Sequence, residues 1–174
     1  MPPAAGKRDR MVWYSLHRHV YDGMELLGWF DDPVALELDR QAVHMPFGGY
    51  AEGVTIPVNS IVLMPDDTSY TDLECGSNSQ RGDRGFLIDI YAEDHATGIH
   101  LRGDISALLR GHYSSIGYDQ NKLEVVDEDQ ATPSVFATLD IEGVREDRGR
   151  GNDPWEQFWY SITLGIEDDV WTDG

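Results

Sequence analysis

The sequence predicts an α+β fold: a mostly antiparallel sheet with two helices packed on one face, a long hairpin and long loops. Three observations carry that expectation. Apolar residues recur at intervals of three or four in two separate segments, as an amphipathic helix requires. In the last third of the chain they alternate with polar residues, the mark of strands covered on one side only. The segments follow in the order α-β-β-α-β-β-β, which suits helices layered on a mostly antiparallel sheet rather than a doubly wound parallel one.

Residues 1–9, rich in Pro, Ala and charge, read as a flexible arm. Residues 10–174 read as a single α+β domain, a length at which one core forms without staples. From Arg10 to about Phe30 the apolar positions Trp13, Leu16, Val20, Met24 and Leu27 make a helical stripe. Asp31-Asp32-Pro33 stops it, since proline cannot continue a helix and restricts the residue before it. Residues 33–53 are broken by Pro46, Gly48, Gly49 and Gly53 and read as a loop. Val54 to Met64 is β-branched and apolar, a strand with Pro57 near its start or on an edge.

Residues 65–85 carry Pro65-Asp66-Asp67, Gly76, Asn78, Gly82 and Gly85, and read as a second long loop. Phe86, Ile88 and Ile90 then share one face of a strand. Thr97 to Arg110 reads as the second helix, with Ile105, Leu108 and Leu109 as its stripe and Gly111 placed to cap it. Leu123-Glu124-Val125 is a short strand. Two long ones follow, with Val135, Leu139, Ile141, Ile162 and Leu164 expected on the buried face. Gly143 to Pro154 joins them as a charged hairpin tip.

Composition narrows function. Apolar residues make up 40% and charged residues 26%, a globular balance rather than a disordered one. Thirty-two acidic against thirteen basic residues give a net charge of −19, which repels phosphate backbones and argues against DNA or RNA binding. Such a surface still suits a wall past which nucleic acid slides without sticking. No export signal or membrane-spanning run is read in the sequence, so synthesis in the cytoplasm is expected.

No chemistry announces itself. Neither a phosphate-binding glycine loop nor a nucleophile elbow occurs. Cys75 is the single cysteine, with no base beside it to activate the thiol. His17 and His19 lie two apart on a helix and point in different directions. Glu93, Asp94, His95 and His100 are the better metal candidate. Their spacing does not align two imidazoles on one face, and Asp94 or Thr97 serves equally as a helix cap. Arg-Gly-Asp occurs at 81–83 and 102–104, the second inside the expected helix. The Asp127-Glu128-Asp129 run reads as a solvated turn. No catalytic residue, metal site or cofactor is therefore expected. Arg145, Arg148 and Arg150 on the hairpin, with Trp155 and Trp159 beside it, are the candidate partner-binding residues, being rigid cations and aromatics of the kind interfaces use.

The stretch Phe86-Leu87-Ile88-Asp89-Ile90-Tyr91-Ala92-Glu93-Asp94, a short helix ending Leu108-Leu109, and the closing strand Phe158-Trp159-Tyr160-Ser161-Ile162-Thr163-Leu164 resemble tail terminator (tail-completion) proteins of long-tailed double-stranded DNA phages. The resemblance spans roughly residues 10–170 in element order: an N-terminal helix, strands, a crossing helix and a closing hairpin. It implies a virion structural protein that forms a ring, commonly a hexamer. Such a ring caps the tail tube and joins the tail to a head-side connector protein, while DNA passes through its channel unbound. The family offers no catalytic residues to carry over. Loops 33–53 and 65–85 depart from its pattern by their length. Other readings are another neck or head-closure component, a small metal-dependent enzyme using His95, and an acidic binding protein that mimics DNA.

Overall fold

The computed structural model describes residues 5–29, 43–44, 60–72, 79–92, 94–148 and 159–171. Its first helix, α1, spans Ala5–Leu26 and so begins well before the expected start near Arg10. Residues 5–9 are therefore helix rather than loose arm. Cations at a helix N-terminus oppose the helix dipole, so something must compensate Lys7, Arg8 and Arg10. Acids from distant segments do so. Lys7 lies 2.9 Å from Asp127, and Arg10 lies 2.9 Å from Glu128 and 2.7 Å from Asp129. The acidic run expected to be a solvated turn is thus the counter-charge of the helix start.

Among the described residues six strands form one sheet: β1 (Val43–His44), β2 (Ser60–Asp72), β3 (Ser79–Tyr91), β4 (Lys122–Val126), β5 (Val135–Arg148) and β6 (Trp159–Trp171). Their order is β1-β2-β3-β6-β5-β4. Every neighbouring pair is antiparallel except β1 with β2. The second helix, α2 (His95–Leu109), crosses between β3 and β4, and both helices cover the same face. This is the α+β layer that the sequence predicts.

The core lies between that face and the helices. Leu16, Val20 and Met24 from α1 meet Ile105, Leu108 and Leu109 from α2, over Ile88, Ile90, Ile162 and Ile166 of the central strands. Asp94 caps α2, its Oδ1 accepting from the Thr97 backbone N–H at 2.8 Å, and Gly111 follows the helix in a left-handed conformation (φ 72°). Gly98 lets α2 sit directly on β6, because a Cβ there would lie 2.3 Å from the Tyr160 ring.

Two further features differ from the sequence reading. Residues 65–85 are not one long loop: β2 continues to Asp72 and β3 begins at Ser79. Pro65-Asp66-Asp67 marks a bulge, where three steps along β2 match two along β3, rather than a break. Beyond it, residues 65–71 are exposed, so no hydrophobic alternation exists to betray the strand. Val135 is the second. It is 51% exposed, while Leu139, Ile141, Ile162 and Leu164 are buried as expected. A bulge opposite Val125 and Val126 inserts Phe136 into β5, and one extra residue throws Val135 onto the other face. Cys75, most of the 33–53 loop and residues 54–59 lie outside the described residues. No helix among the described residues is long and apolar enough to cross a membrane.

Candidate functional site

The β5–β6 hairpin differs from the expected charged tip. The strand does not give way to the tip at Gly143 but runs to Arg148, with Arg145 opposite Thr163 and Arg148 opposite Tyr160. Gly143 makes this possible. Its φ of 60° is a left-handed value that glycine adopts without strain, and it stands in a bulge between Glu142 and Arg145. The extra residue reverses which side chains face the helices. Glu146 thereby comes opposite Ile162, on the α2 side. There it stands 3.3 Å from Arg102 of α2 and 3.7 Å from Arg110, the residue that caps the end of α2. Arg145 goes to the helix-free face, 75% exposed and 3.4 Å from Asp147.

The five candidate interface residues therefore separate. Arg145 is exposed on a paired strand rather than at a loose tip. Arg148 ends that strand. Trp159 is engaged internally: its Nε1 donates to Asp89 Oδ1 at 2.9 Å, and its ring stacks on Tyr91 at 6.0 Å. Arg150 and Trp155 lie outside the described residues. The hydrogen bond from Trp159 opposes, but does not cancel, the effect of burial, which raises the Asp89 carboxyl above its usual range.

Polar groups gather where α2 begins, among them Tyr160, which the sequence reading took only as part of a strand. His95 Nδ1 and the Tyr160 hydroxyl are 2.6 Å apart, and the Arg102 guanidinium stands over the Tyr160 ring at 5.1 Å. A histidine beside a tyrosine can pass a proton, but Tyr160 is only 4% exposed and its hydroxyl is already hydrogen-bonded with His95. His100 faces a different partner, Asp104 at 3.4 Å, so the two imidazoles do not converge. Among the described residues no group of three or more His, Cys, Asp or Glu is arranged to hold a metal ion. Asp104 also accepts from Trp29 Nε1 at 2.7 Å and the Tyr113 hydroxyl at 2.6 Å, which ties the end of α1 to α2. Its Arg-Gly-Asp triplet is structural, and the other is part of β3.

A groove of about 700 Å³ runs between α1 and the outer edge of β4. His19 and Tyr118 stand in it with ring centroids 4.7 Å apart, and the Tyr118 hydroxyl donates to the His19 carbonyl at 2.9 Å. Burial lowers the His19 pKa to about 4, against a smaller opposing effect from Asp22. Ser15 in the same groove accepts from the Val126 backbone N–H at 3.0 Å. Lys122 and Arg18 are each paired, with Asp140 and Asp22. The groove has mixed charge, and among the described residues that line it no hydroxyl is hydrogen-bonded to a side-chain base.

The feature that stands out instead is the far end of the sheet. Past the bulge, β2 continues beside β3 and β6, and residues 65–71 of β2 are exposed. Tyr70, 45% exposed, lies over Gly82, whose missing side chain leaves room for the ring. Arg81 pairs with Glu167 at 2.7 Å across the β3–β6 ladder. Compared with models of known protein families and with curated proteins, the sequence matches none.

Proposed function

We propose that this chain is a virion structural protein, a ring-forming tail terminator that caps the tail tube of a long-tailed double-stranded DNA phage and joins it to a head-side connector. The observation that carries the reading is the length of the strands and the exposed far end of β2. Strands in globular proteins average five or six residues. Here β2, β3 and β6 have 13 each and β5 has 14. At this end the start of α1 covers Arg84 and Asp168 of the neighbouring strands, while residues 65–71 of β2 are all left exposed. Strand that is built but not buried fits a subunit whose partners complete it.

Two further features support the reading. The element order, N-terminal helix, strands, crossing helix and closing β5–β6 hairpin, is that of the family the sequence resembles. The net charge of −19 suits a channel wall that DNA passes without adhering. The ring, its hexameric size, the tail-tube and connector partners and a place in the virion neck all belong to this proposal.

Light scattering on the purified chain, with electron microscopy, tests it. A closed ring near six times 19.6 kDa, able to seal tail tubes at uniform length, is the expected result. A monomer that neither forms rings nor binds tubes would sink the proposal.

A further inference from the structure

The sheet ends in unpaired edges, and they are not equally protected. At β4 the edge is five residues long, carries Lys122 and Glu124, and has its Val126 N–H taken by Ser15 of α1. Short length, charge and a covering helix are the usual means of blocking edge pairing. The first part of β2 is guarded too, by Pro65, which has no N–H, and by Asp66 and Asp67 within a bulge. Beyond them the guards stop. Thr68-Ser69-Tyr70-Thr71 is exposed, without charge or proline, and made of residues that suit strands. Among the described residues β1 reaches only Ile61 and Val62 of β2, so nothing pairs this stretch on that side.

A second free edge lies diagonally across the sheet. β4 pairs with β5 only as far as Asp140, so among the described residues β5 has no strand beyond it from Glu142 to Arg148. Arg102 and Arg110 reach over to Glu146, and Arg102 Nη1 donates to the Asp147 carbonyl at 3.4 Å. The two edges sit on opposite sides of β3 and β6 and at opposite ends of β6. Thr71 aligns through Arg81 with Asp169, whereas Arg148 aligns with Tyr160.

We infer that copies of this chain join head to tail by strand addition, the β2 edge at Thr68–Asp72 of one copy lying beside the β5 edge at Val144–Arg148 of the next. The inference rests on the ring reading and names its contact. Direction fits: β2, β3, β6 and β5 are successively antiparallel, so β5 beside the next copy's β2 is again antiparallel, with the helices kept on one face. Charge fits as well. Asp66, Asp67 and Asp83 form no ion pair among the described residues, whereas on β5 the Arg145 side chain is 75% exposed, with Asp147 beside it at 3.4 Å. A second copy is thereby favoured over an acidic partner, and over self-pairing of two β2 edges, which would set aspartates near aspartates. Because the edges lie at opposite ends, each copy is offset along the strands from the last. Closure then requires strands tilted to the ring axis, as in any closed sheet, and the contact is heterologous, the type that generates rings.

Charge exchange tests the contact. Three variants are compared with the wild type by light scattering: Asp66→Arg/Asp67→Arg, Arg145→Glu/Arg148→Glu, and all four changes together. Circular dichroism checks the fold of each. Each pair of reversals is expected to reduce the assembly to a 19.6 kDa monomer, and the combination to restore it. Tyr70→Lys, which guards the edge without touching the acids, should also dissociate the ring with the fold intact. If the wild type forms rings and none of these folded variants changes the mass, the contact proposed here is wrong and the ring reading stands. If the wild type is a monomer at about 100 µM, well above the Kd of a stable interface, the ring reading fails and takes the contact with it.

Discussion

Arg84 donates from Nη1 to Asp168 Oδ2 across 2.8 Å, with the two side chains only 3% and 1% exposed. The same carboxylate receives Arg8 of α1, through Nε at 2.6 Å and through Nη2, and Arg84 Nε donates to Asp9 of α1 at 2.8 Å. Two cations and two acids thus neutralise one another where the helix start meets the ends of β3 and β6. A buried charge is tolerated when paired and costly when its partner goes.

Asp168→Ala should therefore destabilise the fold by about 3–5 kcal/mol, since it leaves the Arg84 guanidinium buried with only Asp9. Arg8→Ala should have a smaller effect, because the Arg84–Asp168 pair survives it. Urea denaturation of both variants measures the difference. Equal and small losses would mean that water reaches the network and screens it.

His19 gives the fold an acid sensitivity of defined sign. Its folded pKa of about 4 is below the ordinary 6.5, so the fold favours the neutral ring. Its contribution is complete above pH 6.5 and is lost as pH falls from 6.5 toward 4, by up to about 3 kcal/mol. His19→Gln cannot titrate and should flatten that part of the stability–pH curve. Thermal melts of both proteins between pH 4 and 7 make the comparison. Parallel curves would assign the acid sensitivity to carboxylates instead.

Asp89 runs the opposite way. Burial raises its carboxyl above the usual range, so the neutral acid is the form the fold prefers. Its stabilising contribution is present below about pH 3.8 and is lost as pH rises through the folded value. Asp89→Asn keeps an acceptor for Trp159 Nε1 and removes the charge, so it should raise the melting temperature at pH 7. The gain should vanish near pH 3.5, where both side chains are neutral. A lower melting temperature at pH 7 would show that the ionised carboxylate is needed.

The sequence exposes whatever is written as a buried face. Leu16, Val20 and Met24, Ile105, Leu108 and Leu109, and Ile162 and Leu164 all repeat at the period of their element, and all are buried. The strand of β2 beyond Pro65 has no buried face and hence no period, so it reads as loop. Bulges defeat the pattern in another way. Phe136 and Gly143 each add one residue to β5, and each reverses the facing of what lies beyond. Val135 and Glu146 could not be placed from alternation alone, although Gly143 within a run of strand residues is the kind of signal that marks a bulge. Distant ion pairs such as Lys7 with Asp127 leave no local mark at all.

Two glycines in α2 should respond in opposite directions to the same substitution. In a helix interior alanine is favoured over glycine by about 1 kcal/mol, because glycine loses more backbone freedom on folding. At Gly103 a Cβ would meet nothing within 4 Å, so Gly103→Ala should stabilise the protein by roughly 0.5–1 kcal/mol. At Gly98 a Cβ would lie 2.3 Å from one Tyr160 ring carbon and 2.6 Å from another, with the Ala92 methyl at 3.2 Å on another side. The ring cannot easily retreat, since its hydroxyl is held by His95 and its face is covered by Arg102. The helix must then lift from β6, and overpacking of this kind costs about 1–3 kcal/mol, more than the helical gain. Gly98→Ala should therefore destabilise the fold, and Gly98→Ala/Tyr160→Leu should recover part of the loss by removing the ring. Denaturation midpoints of the three variants decide it, and a Gly98→Ala protein as stable as the wild type would mean that α2 does not rest on Tyr160.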